Sequence, residues 1–425
     1  MEKTQEQDIY KKSRILYIIE AALEYFISIA VGGAYLATLT EYLGFSDSLT
    51  GILTSFVSLG CGFQIVAIFL ANKKPVKRWV TILHTLNQLF FAIVYVIPVF
   101  DFNPQAKTVL FVASLLMGHI LNNIVNAPKI NWYMSLVDNK KRGRFTANKE
   151  IISLLSGMLF TLGLGVVVDY FEAIGDLRTS FIVCGIGVGL LMLGHTFTLL
   201  FSKEKPEETA PEQSNIKETL LGLVKDKNLL KVVLISVLWN IASYATTPFY
   251  GTYKKKELGF TMTFISILSI VTAVVRSLFS RPMGRYADKH SFSKMLNICF
   301  SLATVAFGIN IFTSPENGSV LYVGYIVLHA IAMAGINSSV INLIYDYVEP
   351  KQRIAALALK SAFAGFAGFF TTLAISPLVS YIQDAGNSLF GLSVYAQQVT
   401  SAIAFVLMLF LLLYMHTVIR KINKQ

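Results

Sequence analysis

Runs of about twenty apolar residues, broken by short polar stretches, recur along the whole chain. A helix rising 1.5 Å per residue needs roughly that length to cross the hydrocarbon core of a bilayer. The pattern predicts twelve spanning helices, over residues 14–40, 49–71, 79–100, 107–135, 145–170, 179–202, 228–253, 260–283, 293–313, 319–347, 354–382 and 395–419. Most connections are short and carry Gly, Pro, Asn or charge. The exception is 203–227, SKEKPEETAPEQSNIKETLLGLVKD, which alternates acid and base and contains two prolines. The predicted architecture is therefore all-α and membrane-embedded: a six-helix bundle over 1–202, a linker over 203–227, and a second six-helix bundle over 228–425.

Composition agrees with the pattern. Of 425 residues, 54% are hydrophobic and only 14% charged, with a mean hydropathy of +0.59. A soluble protein carries about 25% charged residues. The net charge of +11 would suggest nucleic acid in a soluble chain. Here its distribution explains it. With the N-terminus inside, cytoplasmic segments hold 28 of the 36 Lys and Arg, external loops hold five, and three lie within helices. Lys and Arg near helix ends set orientation, so both termini are expected in the cytoplasm and no nucleic-acid partner is expected. The external run Lys254, Lys255, Lys256 departs from the rule and reads as a headgroup contact, a snorkelling cluster or an attractor of anions.

The chain offers little to an enzyme. Cys61, Cys184 and Cys299 sit in apolar runs without metal-ligand spacing, and the six histidines form no H-E-x-x-H. No G-x-x-x-x-G-K-[ST] is present, so neither a nucleotide-driven pump nor a cofactor is expected. The opening MEKTQEQDIYKKSR is too polar for a secretion signal, and the first apolar run is expected to remain as a spanning helix.

The halves resemble each other. Glu41-Tyr-Leu-Gly44-Phe-Ser46 after the first span matches Lys256-Glu-Leu-Gly259-Phe-Thr261 after the seventh. Asp169-Tyr-Phe-Glu-Ala-Ile-Gly175 matches Ser380-Tyr-Ile-Gln-Asp-Ala-Gly386, and His119 corresponds to His329. Such a repeat places a substrate site near the membrane midplane at the interface of the repeats. The stretch Arg281-Pro-Met-Gly284-Arg-Tyr-Ala-Asp288-Lys289-His-Ser-Phe-Ser-Lys294, expected as the loop between spans 8 and 9, resembles the G-x-x-x-D-[RK]-x-G-x-[RK] loop of the major facilitator superfamily. Arg142-Gly143-Arg144 after span 4 looks like that family's R-G-R, with Arg353 as its counterpart. The resemblance covers essentially the whole chain.

It implies a conformational switch built on Gly284, Asp288, Lys289, Arg142 and Arg144. The Asp288 carboxylate would meet the N-terminus of span 5 on the cytoplasmic side and favour the outward-facing state. Two departures stand out. In the 2–3 loop, Ile68 and Asn72 occupy the positions of Gly284 and Asp288, so the acid is replaced by its neutral isostere. The fifth span has Gly157, Gly163 and Gly165 but lacks the Gly-Pro pair of the family's drug/proton antiporters.

Ionisable groups within spans are costly and mark function. Glu20 and Glu24 share a helix face with Tyr17 and Ser28, and His119, Asn122, Asn126 and Lys129 form a stripe. Counted from the charged helix ends, Glu24 and Lys129 both lie about 15 Å deep. Glu24–Lys129 is accordingly the expected intramembrane pair, read as either a proton-coupling device or a structural salt bridge. Glu20, about 9 Å from Arg14, reads equally as an interfacial charge or a functional one. The second half offers Arg276, Asn240, Tyr244 and Asn337, together with Lys360, which can snorkel. Cations outnumber carboxylates within the spans, which favours a polar solute of anionic or zwitterionic character. The leading expectation is a secondary active transporter using alternating access, proton-coupled, monomeric and resident in a bacterial plasma membrane. The alternatives are a multidrug efflux antiporter and a transport-inactive sensor or scaffold of the same fold.

Overall fold

The structure, a computed structural model, describes residues 9–70, 75–138, 142–205, 216–349 and 352–422. The first span is broken: α1 (Lys11–Ala30) and α2 (Gly33–Tyr42) meet at a 44° bend, where Gly33 adopts φ +54°. The second span is also segmented, as α3 (Asp47–Thr54), α4 (Phe56–Gly62) and α5 (Gln64–Leu70). Then follow α6 (Val76–Val96), α7 (Pro104–Ser135), α8 (Arg142–Ala173), α9 (Leu177–Phe201) and the short α10 (Ile216–Lys225).

The seventh span runs from α11 (Lys227–Tyr244) through a 3₁₀ turn, Thr247–Phe249, and α12 (Tyr250–Thr252) into a π-turn, Tyr253–Glu257. It is followed by α13 (Met262–Lys289), α14 (Phe292–Asn310), α15 (Gly318–Tyr345) and α16 (Arg353–Asp384). A two-residue hairpin, β1 (Ser388–Leu389) with β2 (Leu392–Ser393), precedes α17 (Ala396–Tyr414), a π-turn over Met415–Ile419 and α18 (Arg420–Ile422). Among the described residues, eleven helices are long and apolar enough to cross a membrane, and the bent α1–α2 pair makes twelve.

Local chemistry accounts for the ends of these elements. The repeated L-G-F-[ST] motif reverses the chain twice in the same way. Gly44 and Gly259 take φ +74° and +63°, a region open to glycine without steric penalty. Two residues on, the hydroxyls of Ser46 and Thr261 accept from the N–H groups of Leu49 and Phe264, each at 3.2 Å, and cap the next helix. The second repeated motif ends on Gly175 and Gly386, at φ +75° and +69°.

Two expectations need correction here. Residues 281–289 are not a loop: α13 continues through Pro282 and Gly284 to Lys289, and Ser291 caps the next helix at Lys294 N. Pro282 and Gly284 are accommodated within α13, and the helix ends at His290, just before Ser291, which stands where the motif would have its second glycine. Lys254–Lys256 are likewise not an external loop, since they form the π-turn closing the seventh span.

The chain forms two packing units. The first comprises the described residues of Met1–Gly44 and Val66–Gln213, the second those of Phe45–Ile65 and Ser214–Gln425. In the first, α1 packs on α8 and α9, while α6 packs on α7 and α9. Tyr17, Val76, Val80, Val125, Trp132, Tyr133, Leu136 and Leu199 form a hydrophobic core within this unit. Its rings stack closely, Tyr17 on Tyr133 at 4.2 Å and Trp132 on Tyr133 at 4.5 Å.

In the second unit, α14 packs on α15, α11 on α16, α13 on α15 and α4 on α16. The last pair approaches through small residues, as spanning helices commonly do. Ser58 Oγ donates to Gly365 O at 2.9 Å, and a Cβ at 365 would stand 2.5 Å from Ser58 O. Asp47, buried at the start of α3, accepts from Lys256 Nζ at 2.5 Å and from Gln383 Nε2 at 2.7 Å, while Ser48 hydrogen-bonds Ser376.

Candidate functional site

Inside the first unit, four helices bring five ionisable side chains to one place. Helix α1 supplies Glu20 and Glu24, one turn apart on its buried face. Helix α6 supplies His84, α7 supplies Lys129, and α9 supplies His195. Lys129 Nζ is the hub. It donates to Glu20 Oε1 at 2.9 Å, to Glu24 Oε2, and to His84 Nε2 at 3.0 Å. His195 Nε2 lies 3.0 Å from Glu20 Oε1, and His84 Nε2 lies 3.7 Å from Glu24 Oε1. The two imidazoles meet edge to face with centroids 4.4 Å apart. Four of the five side chains are essentially sealed. Glu24 alone retains 21% of its side-chain exposure and forms the open end of the cluster.

Neighbouring groups hold these residues in place. Asn87 Nδ2 donates to Gly118 O at 2.7 Å, which turns Asn87 Oδ1 towards His84 Nδ1, 3.1 Å away, and Gln88 Nε2, 2.7 Å away. Pro128 precedes Lys129 inside α7 and removes one N–H from the helical ladder there. The aromatic stack of Tyr17, Tyr133 and Trp132 lies within a turn or two of Glu20 and Lys129, and Tyr133 is tied to Ser202 Oγ at 3.0 Å. Unpaired, any of these buried charges would be expensive; together, the opposite charges and their hydrogen bonds offset that penalty.

The structure thus brings Glu24 to Lys129. Glu20 is not an interfacial charge, because its carboxylate is fully buried and accepts from both Lys129 and His195. α1 directs this residue at α6 and α9 rather than at the membrane surface. His195 was missed from sequence. Its one faint signal is its place beside Gly194 and ahead of Thr198, on the small polar face of an otherwise greasy helix.

Other candidates lie apart from the cluster. Asn122 and Asn126 are half-buried on α7, with Asn122 Oδ1 unpartnered among the described residues. His119 packs its ring against Phe91 at 5.0 Å instead of joining the ions. In the second unit, Asn240 Nδ2 donates to Ala364 O at 2.8 Å, an α11–α16 tie. Tyr244 is half-buried near Ser58 and Gly368, and Thr372 Oγ1 donates to its carbonyl at 2.9 Å. Arg276 and Asn337 are exposed, and Arg276 has no carboxylate partner among the described residues. Gly284 is half-buried in α13, while Asp288 and Lys289 are exposed at its end. Arg142 and Arg144 belong to the first turn of α8; their side chains, and Asn72, lie outside the described residues.

Apolar helices long enough to cross a membrane thus surround a buried ion cluster with one partly open carboxylate. The family model described as Major Facilitator Superfamily matches residues 18–281 and 232–424, and the chain belongs to that superfamily. Solved structures similar to it include the nucleoside transporter NupG (16% identity, TM-score 0.69, covering 95% of this chain and 97% of that one). A D-xylose-proton symporter is similar at 15% identity and TM-score 0.68, with 95% and 97% covered. A bacterial homologue of the iron transporter ferroportin, in its inward-facing state, is similar at 14% identity and TM-score 0.67, with 95% and 98% covered. At these identities the likeness is one of fold. No curated protein matches the chain by sequence.

Proposed function

We propose that this protein is a proton-coupled secondary transporter for a small polar solute, anionic or zwitterionic, working by alternating access in a bacterial plasma membrane. Membership of the superfamily supports transport itself. The observation that carries the finer reading is the division of labour around Lys129. Its three N–H donors are committed to Glu20, Glu24 and His84, and of these partners only Glu24 is accessible.

A carboxylate or phosphate on an incoming solute can therefore compete for one ammonium donor, the one held by Glu24. Once displaced, Glu24 loses the cation that keeps it ionised and takes up a proton. Departure of solute returns Lys129 to Glu24 and releases that proton. Binding and protonation are linked through one shared cation, which makes Glu24 and Lys129 the coupling pair. The skewed Lys and Arg distribution supports cytoplasmic termini.

The test is solute-dependent proton flux in proteoliposomes, read with a pH-sensitive dye across organic acids, amino acids, sugars and cationic drugs. One acidic or zwitterionic class should carry protons, and Glu24→Gln should abolish the proton signal. Equal proton flux in the variant would remove Glu24 from the coupling step. A response confined to cationic drugs would replace this reading with multidrug export.

A further inference from the structure

In the second unit, α11 and α17 pack side by side, and their outward faces change character at one level. On α17 the exposed residues are apolar as far as Phe410 and Leu413, which are 60% and 57% exposed. Beyond Leu413 the exposed positions turn polar and then cationic, ending in Arg420 and Lys421. On α11 the order is reversed: Lys227 and Lys231 are exposed first, then Leu234. The Tyr414 hydroxyl donates to Lys231 O at 2.8 Å, which puts both changes at the same height. A face of exposed apolar side chains on a spanning helix suits hydrocarbon, and a shared change to cations marks where hydrocarbon gives way to headgroups.

The cations at this level are left uncovered. Among the described residues, the side chains of Lys227, Lys231, Arg420 and Lys421 make no ion pair and lie over no aromatic ring. Asp226, the acid next to Lys227, is committed to its helix cap, accepting from Asn228 N at 2.8 Å and Leu229 N at 3.1 Å. The corresponding seam of the first half, between α1 and α9, is different. There Lys12 lies over the Phe201 ring and Lys205 over the Tyr10 ring, each at 5.6 Å. Topology asks only that cations stay on one side of the membrane, not that they line an open seam unpaired. The π-turn over Met415–Ile419, packed on α11, falls at the same level. Such turns are rare and gather at functional sites.

We propose that the seam between α11 and α17 binds one anionic phospholipid, its phosphate held by Lys231, Lys227 and Arg420 and its acyl chains laid along Leu234, Phe410 and Leu413. Along the helix axes, Lys227 stands about 6 Å and Arg420 about 9 Å beyond the level of the Tyr414–Lys231 bond, on the same side of it. Long flexible side chains bring both to one headgroup. A zwitterionic lipid carries a cation of its own and gains less from such a cluster.

The test is native mass spectrometry of the full-length protein in detergent, titrated with dioleoyl phosphatidylglycerol or dioleoyl phosphatidylcholine. One phosphatidylglycerol should bind ahead of all others, and phosphatidylcholine should not compete for its place. Each cation near an anionic headgroup contributes a factor of about five, so Lys231→Gln with Arg420→Gln should weaken that first step about 25-fold. Both side chains are exposed, so the double variant should keep its thermal midpoint when no lipid is added. Lys12→Gln with Lys205→Gln, on the corresponding seam, should leave the first step unchanged. Equal binding of the two lipids by the unmutated protein would overturn the proposal. So would a first step that survives the Lys231 and Arg420 changes, or one that the Lys12 and Lys205 changes weaken as much. Displacement of the lipid by inorganic phosphate would make this a small-anion site and sink the lipid assignment. None of these readouts uses transport, so flux measurements decide the proposed function separately.

Discussion

At the scale of single residues, Lys129 carries the heaviest electrostatic duty. Replacing it with Met leaves Glu20 and Glu24 buried beside each other without their cation. Breaking a buried pair in this way costs about 3–5 kcal/mol. Lys129→Met should therefore lower the thermal midpoint in detergent strongly. Adding Glu20→Gln and Glu24→Gln to it should recover much of that loss, since the uncompensated charges go with it. The repeated glycines make a second, cleaner prediction. Gly259 sits at φ +63° with open space where a Cβ would go, so strain is the main penalty of a substitution. Gly259→Val should cost about 1–2 kcal/mol, visible as a lower midpoint with transport specificity unchanged.

At the scale of elements, apolar periodicity located every span, because burial in lipid demands long apolar runs whatever the packing. It did not locate the breaks. The bend at Gly33, the interruptions of the second span and the π-turn over Tyr253–Glu257 arise from backbone adjustments that leave the average hydropathy untouched. Helix ends were equally opaque where composition stays helix-compatible, as at Gly284–Lys289. The ion cluster was half legible. Glu24 and Lys129 share a depth that can be counted, whereas Glu20, His84 and His195 converge only through helix rotation. The α4–α16 contact offers a test at this scale. Gly365→Leu would press a side chain into Ser58 O and Gly62 N, both backbone atoms that cannot step aside. Overpacking of this kind costs about 1–3 kcal/mol, and the variant should show a lower midpoint that Ser58→Ala does not rescue. At the start of α9, Asp176 caps Thr179 N, and hydrogen bonds from the Thr179 side chain and backbone hold its carboxyl below the usual aspartate range. A depressed carboxyl stabilises the fold above its ordinary pKa and ceases to do so as the pH falls through the lowered one. Asp176→Ala should therefore lower the midpoint at pH 7, with the deficit shrinking in acid.

At the scale of the whole molecule, the orientation proposed from the distribution of Lys and Arg can be checked directly. Tags at the two termini should both be shielded from outside reagents in intact cells and become accessible on permeabilisation. Exposure of either tag in intact cells would reverse the orientation proposed for that terminus.

The grouping of Phe45–Ile65 with the second unit has a consequence for anyone who tries to cut the carrier in two. Severing the chain between 205 and 216 is the obvious way to make half-carriers, yet it does not divide the protein along its packing. The C-terminal fragment would lack the segment that pairs Asp47 with Lys256 and Gln383, and Ser58 with Gly365. Produced alone, that fragment is an incomplete bundle with an open seam and an orphaned lysine, and should be degraded. Co-production of the N-terminal fragment should restore it, so that complementation between the halves reports on the missing segment.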